Sequence, residues 1–155
     1  MAFSAIEFHT RLEVQDLLNR FCYSLERCDR PVWHGVFTRN ATFSSTWLGD
    51  FHNLDEIALI PALMHERGDG AWRFHMFNLV LFPGVNRSLL TAKACMAVFD
   101  GENQDKPPRL SDCSFKIRHA ACWQITHVDA TCVAKTPKVV SGDAPAIAIQ
   151  SGLIN

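Results

Sequence analysis

The chain has 155 residues and a formal net charge of -1, from 15 basic and 16 acidic side chains, with 48% of residues hydrophobic and 20% charged. There is enough apolar material for a buried core, which excludes wholesale disorder, and the balanced charge lacks the clustered Lys/Arg of a nucleic-acid footprint. No apolar run approaches the length of a transmembrane helix, and the opening MAFSAIEFHTRLE has no basic segment leading into an apolar one, so it does not read as a secretory signal. The expectation is a cytoplasmic protein without nucleic-acid or membrane partners.

Helices come first. Thr10 and Glu13 have the spacing of a capping box, which predicts a helix starting there; Val14, Leu18, Phe21 and Leu25 form its apolar stripe to about Cys28. Pro31 suits the first turn of a second short helix, with Asp29 as its cap and Val32, Trp33, Val36 and Phe37 as its apolar face. ATFSSTW, rich in β-branched and aromatic residues, predicts a strand ending at the turn Gly49-Asp50. Asn53 and Glu56 form another capping box and open a third helix through Leu59, Leu63 and Met64, stopped by Gly68.

After Gly70 the texture becomes extended. AWRFHMFNLVLF, SLLTAKACMAVF, LSDCSFKIR and WQITHVDATCVAK are separated by short turn segments, which implies antiparallel meander pairing. Helices followed by strands give an α+β architecture with helices on one face of a sheet. Residues 1–135 are expected as one domain and 136–155 as a C-terminal tail. The six cysteines include no CxxC pair, and most lie in apolar stretches; they read as reduced structural thiols. No group of His and carboxylates converges by spacing, so neither metal nor cofactor is expected.

Two residues stand out for chemistry. Glu26 lies four after Cys22 and eight after Leu18, on the edge of the buried stripe of the first helix; the plain alternative is a solvated residue paired with Arg30. By straight alternation His75 shares a strand face with Arg73, Phe77, Leu79 and Leu81, and a lone His there is commonly a satisfied core residue. A carboxylate and an imidazole meeting where a bent sheet wraps the first helix would make a base and its orienter. Phe43, Trp47, Phe77, Leu79, Met96 and Trp123 supply an apolar lining only if a real cavity exists. Asn78, three after His75, would orient the ring or a substrate carbonyl. Asp112 alternates with Ser114, Lys116 and Arg118, which favours an exposed polar face.

EVQDLLNRFCYSLERCD, then VFTRNATFSS, RFHMFNLVL and ACWQITH, in that order and spacing over roughly residues 8 to 133, resemble the SnoaL-like domains. These share a conical α+β barrel of the cystatin-like type with scytalone dehydratase, ketosteroid isomerase and nuclear transport factor two. The resemblance implies N-terminal helices on a strongly curved, mostly antiparallel sheet. It also implies a homodimer or higher homo-oligomer, and a small hydrophobic substrate contacted by Phe21, Phe43, Trp47, Phe77, Asn78 and Asp112. In several dehydratases and dehydrohalogenases of this group an acid stands at the position of Glu26 and a His at that of His75. The resemblance therefore implies a cofactor-independent lyase or isomerase, foremost a dehydratase, with His75 as base and Glu26 as its partner. The sequence departs from that pattern in having Glu for the usual Asp, and Phe21 where Tyr or Lys often binds a substrate oxygen. Phe21 favours the alternative, a non-catalytic binding or accessory subunit with the same fold.

Overall fold

The computed structural model describes residues 6–133; the tail expected over 136–155 lies outside the described residues. Helix α1 (Phe8–Arg27) begins earlier than its expected capping box, and no side chain caps it. Thr10 lies inside the helix, while Glu13 is engaged elsewhere: its Oε1 lies 3.2 Å from His9 Nε2 one turn back, and its Oε2 accepts the indole N–H of Trp123 at 3.1 Å. The predicted stripe is correct, with Val14, Leu18, Phe21 and Leu25 all buried. The helix ends at Cys28, whose backbone is left-handed (φ 52°) and whose N–H returns to the carbonyl of Ser24.

Helix α2 (Arg30–Val36) is capped as expected, the Asp29 side chain accepting the Val32 N–H at 3.1 Å. It runs directly into strand β1 (Phe37–Ser45), longer than the sequence indicated. Gly49 and Asp50 do not form the turn; they open a short return strand, β2 (Gly49–Phe51). The third helix is split in two, α3 (Leu54–Ile57) and α4 (Ile60–Arg67). The Asn53–Glu56 cap is present, with the Glu56 N–H donating to Asn53 at 2.9 Å. Pro61 has no N–H to continue that helix and instead occupies the first turn of the next one.

The four long strands are where the sequence placed them: β3 (Trp72–Pro83), β4 (Leu89–Asp100), β5 (Arg109–His119) and β6 (Trp123–Cys132). The sheet order is β2-β1-β6-β5-β4-β3, antiparallel except where β1 runs parallel to β6. Register shifts interrupt the β1–β6, β3–β4 and β5–β6 ladders. Such bulges bend strands, and here they curve the sheet around α1. The curve does not close into a full barrel, because β2 and β3 remain edges.

Phe21 lies near the centre of the core. Its ring centroid is 5.0 Å from Trp33, 5.4 Å from Phe115, 6.1 Å from Phe37 and 6.5 Å from Phe43. Offset and edge-on aromatic contacts of this kind add to the burial of apolar area.

Candidate functional site

Strand β3 decides what the inside of the cone can do. Asn78 has a left-handed backbone (φ 56°), and the ladder with β4 shifts between Phe77 and Val80. This bulge changes which parity faces inward. Before it, Phe74 is buried and Met76 half-buried; after it, Leu79 packs on the core and Leu81 is buried. His75 therefore belongs to the opposite face from Leu79 and Leu81, which straight alternation had placed beside it. It is exposed, its ring edge-on to Phe99 at 5.3 Å.

The expected Glu26–His75 pair is accordingly not brought together. Glu26 Oε1 instead accepts the backbone N–H of Phe74 at 2.7 Å. As an edge strand, β3 carries N–H groups that no further strand satisfies, and a carboxylate from α1 answers one of them. Around it, Leu25, Met64, His65, Trp72 and Phe74 leave a hollow of only about 10 Å³, close to the minimum for a single water. Next to Glu26 on α1, burial and then the carboxylate's charge push the Cys22 thiol up to about 12. Burial, followed by neighbouring thiols and carboxylates, raises Cys113 to about 12 as well.

The other expected site residues are dispersed. Phe21 and Phe43 are buried and stack on each other, filling the core rather than lining a void. Met96 is buried, and so is Trp123, tied by its indole N–H to Glu13. Phe77 is exposed on the outer face. Asn78 and Asp112 do share a depression, of about 510 Å³ with Lys93, Cys95 and Asp129, but it lies on that outer face, away from Glu26. Trp47, just beyond β1, stands at the wide mouth of the cone.

Sequence reasoning missed the neighbours of Trp47. Its ring centroid is 5.2 Å from that of Trp72 at the start of β3. The guanidinium carbon of Arg109, at the start of β5, lies 4.9 Å from the Trp47 centroid and 5.3 Å from that of Trp72. Arg67, at the end of α4, approaches the same Trp47 ring at 5.9 Å. Of these, Arg67, Trp72 and Arg109 line a crevice of about 520 Å³, with Trp47 packed behind them. Gly68 permits the arrangement: a Cβ there would collide with the Trp72 ring. The available signal was topological, since an up-and-down sheet brings the end of β1 and the starts of β3 and β5 to one rim. Among the described residues no group of three or more His, Cys, Asp or Glu is placed to hold a metal ion.

An open, bulged sheet around one long helix is the cystatin-like α+β cone, and solved structures agree. A protein of unknown function with a cystatin-like fold from Nostoc punctiforme superposes with a TM-score of 0.74 at 17% identity, covering 85% of this chain and 97% of that one. An NTF2-like protein with a cystatin-like fold from Novosphingobium aromaticivorans gives 0.68 at 15% identity, covering 81% and 83%. The hexachlorocyclohexane dehydrochlorinase LinA-type3 from Novosphingobium barchaimii gives 0.66 at 12% identity, covering 88% and 95%. The SnoaL-like domain profile matches residues 7–110, and the chain belongs to that family. No curated protein matches it.

Proposed function

We propose that this chain is a non-catalytic member of a fold family that includes dehydratases and isomerases, and that it holds a small molecule at the mouth of the cone. One observation carries this reading: Glu26, with one oxygen accepting the Phe74 N–H at 2.7 Å, faces a hollow of only about 10 Å³, and His75 is exposed on the other side of the strand. A general base must come within hydrogen-bond reach of the proton it takes, in a space that admits the substrate. The filled interior around Phe21 and Phe43 gives no such space, whereas the crevice at Arg67, Trp72 and Arg109 has the volume of a ligand site.

The decisive experiment incubates the full chain and its His75→Ala and Glu26→Gln variants with a panel of β-hydroxy carbonyl compounds, which lose water once a carbon-bound proton is removed. The expected result is no elimination above the uncatalysed rate, with wild type and His75→Ala indistinguishable. Elimination that either substitution abolishes would restore the lyase with His75 and Glu26 as its dyad.

Assembly is the second part of the proposal. The outer face carries the exposed side chains of Phe77, Val80, Phe82 and Phe99, an apolar patch of the kind that marks association. This supports the homodimer or higher homo-oligomer, and sedimentation of wild type beside Phe77→Ser checks it. The free thiols of all six cysteines support a reducing, cytoplasmic setting. No described helix is long and apolar enough to cross a membrane.

A further inference from the structure

We infer that the mouth of the cone is a binding site for a flat, singly charged organic acid, an aryl carboxylate, taken by Arg67 and Arg109 beside the indole faces of Trp47 and Trp72. The inference rests on the reading above that the ligand sits at the mouth, and it adds the ligand's chemistry. A guanidinium that lies on an indole keeps its N–H edge free, and that edge is a planar fork matched to a carboxylate. Arg109 is held in this way by two indoles at once, within 5.3 Å of both centroids.

Several of the described arginines lack an ion pair, Arg27, Arg30, Arg39, Arg87 and Arg118 among them; what distinguishes Arg67 and Arg109 is that both lie on indole rings and line one crevice. Arg11 and Arg73 donate to backbone carbonyls, and Arg20 pairs with Asp16. Among the described residues the ion pairs are His9–Glu13, Arg20–Asp16 and Lys106–Asp100, so Arg67 and Arg109 are in none. Both nevertheless line one crevice, of about 520 Å³. The two indoles are in contact, with centroids 5.2 Å apart, so a flat body would lie not between them but against the Trp72 side of the crevice, beside the guanidinium of Arg109.

Three carboxylates line the same crevice: Asp69, Asp100 and Glu102. Asp100 is engaged by Lys106 at 3.7 Å and by the N–H groups of Glu102 and Asn103. Asp69 and Glu102 are not in ion pairs with the arginines, although they share the space. Their charge opposes any second negative group on a ligand, so the site selects a monoanion with an aromatic body over a phosphate or a dicarboxylate.

The test is calorimetric titration of the full chain with 2-naphthoate, its neutral isostere 2-naphthamide and inorganic phosphate, with indole N–H signals followed by NMR. Naphthoate is expected to bind about ten- to hundred-fold more tightly than the amide, the range for a charge-assisted hydrogen bond, and more tightly than phosphate. Arg109→Gln and Arg67→Gln each weaken it by a similar factor, with Arg109→Lys between, while thermal unfolding shows the variants folded. The Trp47 and Trp72 signals move; those of Trp33 and Trp123, bonded to Ile57 and Glu13 inside the protein, do not. Equal binding of the amide, undiminished binding by both Gln variants, or no binding at millimolar naphthoate would each overturn the site. If an aromatic β-hydroxy acid binds through Arg109 but is dehydrated by wild type and not by His75→Ala, the anion site stands and the non-catalytic reading falls.

Discussion

The floor of this cone and its mouth are made from the same kinds of side chain, aromatic rings and charged groups, but they are finished differently. On the floor each polar group described has a partner within the protein: Glu26 meets the Phe74 N–H, Glu13 meets Trp123, and the Trp33 indole donates to the Ile57 carbonyl at 3.0 Å. At the mouth, Arg67 and Arg109 rest on indoles and are in no ion pair among the described residues. Satisfied groups stabilise a fold; preorganised groups without a partner are available to a ligand. In this chain, then, Glu26 is held within the fold by a backbone N–H, and the groups to which the proposal assigns a ligand stand at the rim.

That contrast is sharpest under substitution of the floor. Phe21→Ala removes a ring packed on four others and should cost about 3–5 kcal/mol, measured by urea unfolding. A loss below about 1 kcal/mol would mean that the ring borders a real cavity and that the interior has room for a substrate. Gly68→Ala attacks the mouth from behind. Its Cβ would collide with the Trp72 ring, so the indole must move, at about 1–3 kcal/mol, with the environment of the Trp72 indole N–H changed in NMR spectra. An unmoved Trp72 signal would show that the placement of this indole does not depend on the close approach of Gly68.

The smallest effect at neutral pH comes from the thiols. Cys22 and Cys113 rise from an ordinary 9.0 to about 12 on burial. Above pH 9 the unfolded chain therefore holds fewer protons than the folded one, and stability falls as pH rises. The limiting slope is about 1.4 kcal/mol per pH unit for each thiol, with nothing lost below pH 8. Urea midpoints at pH 7, 9 and 10 check this against the Cys22→Ala/Cys113→Ala double variant, in which the decline is shallower. Equal slopes in the two proteins would remove the burial argument. At pH 8, Cys122 and Cys132, both exposed, should react with a thiol reagent well before the buried Cys113.

Much of the fold was legible because it is written in local periodicity. The stripe from Val14 to Leu25 and the four long strands needed no knowledge of their partners. The misreadings share a cause, which is dependence on something distant or on a single backbone feature. Thr10 and Glu13 have the spacing of a cap, but Glu13 serves Trp123, far along the chain. Pro61 divides one expected helix into two. For the site, the expectation about Glu26 on the edge of the α1 stripe located a half-buried carboxylate, and the structure gives it a backbone partner instead of an imidazole. His75 was misplaced because alternation was counted through Asn78, and a bulge is a property of two strands in register, not of one. Trp72 and Arg109 went unnoticed because they meet Trp47 only once the sheet is assembled.

The bulge also sets how this strand can evolve. With the kink anchored at Asn78, no exchange of one side chain for another in β3 carries the imidazole of position 75 across the sheet. Inserting a single residue between positions 75 and 78 would, because the whole upstream half of the strand would rotate by one step and present that ring to the helix. In this strand the face that position 75 presents is thus set by the length of the segment before the kink, not by the identity of any one side chain.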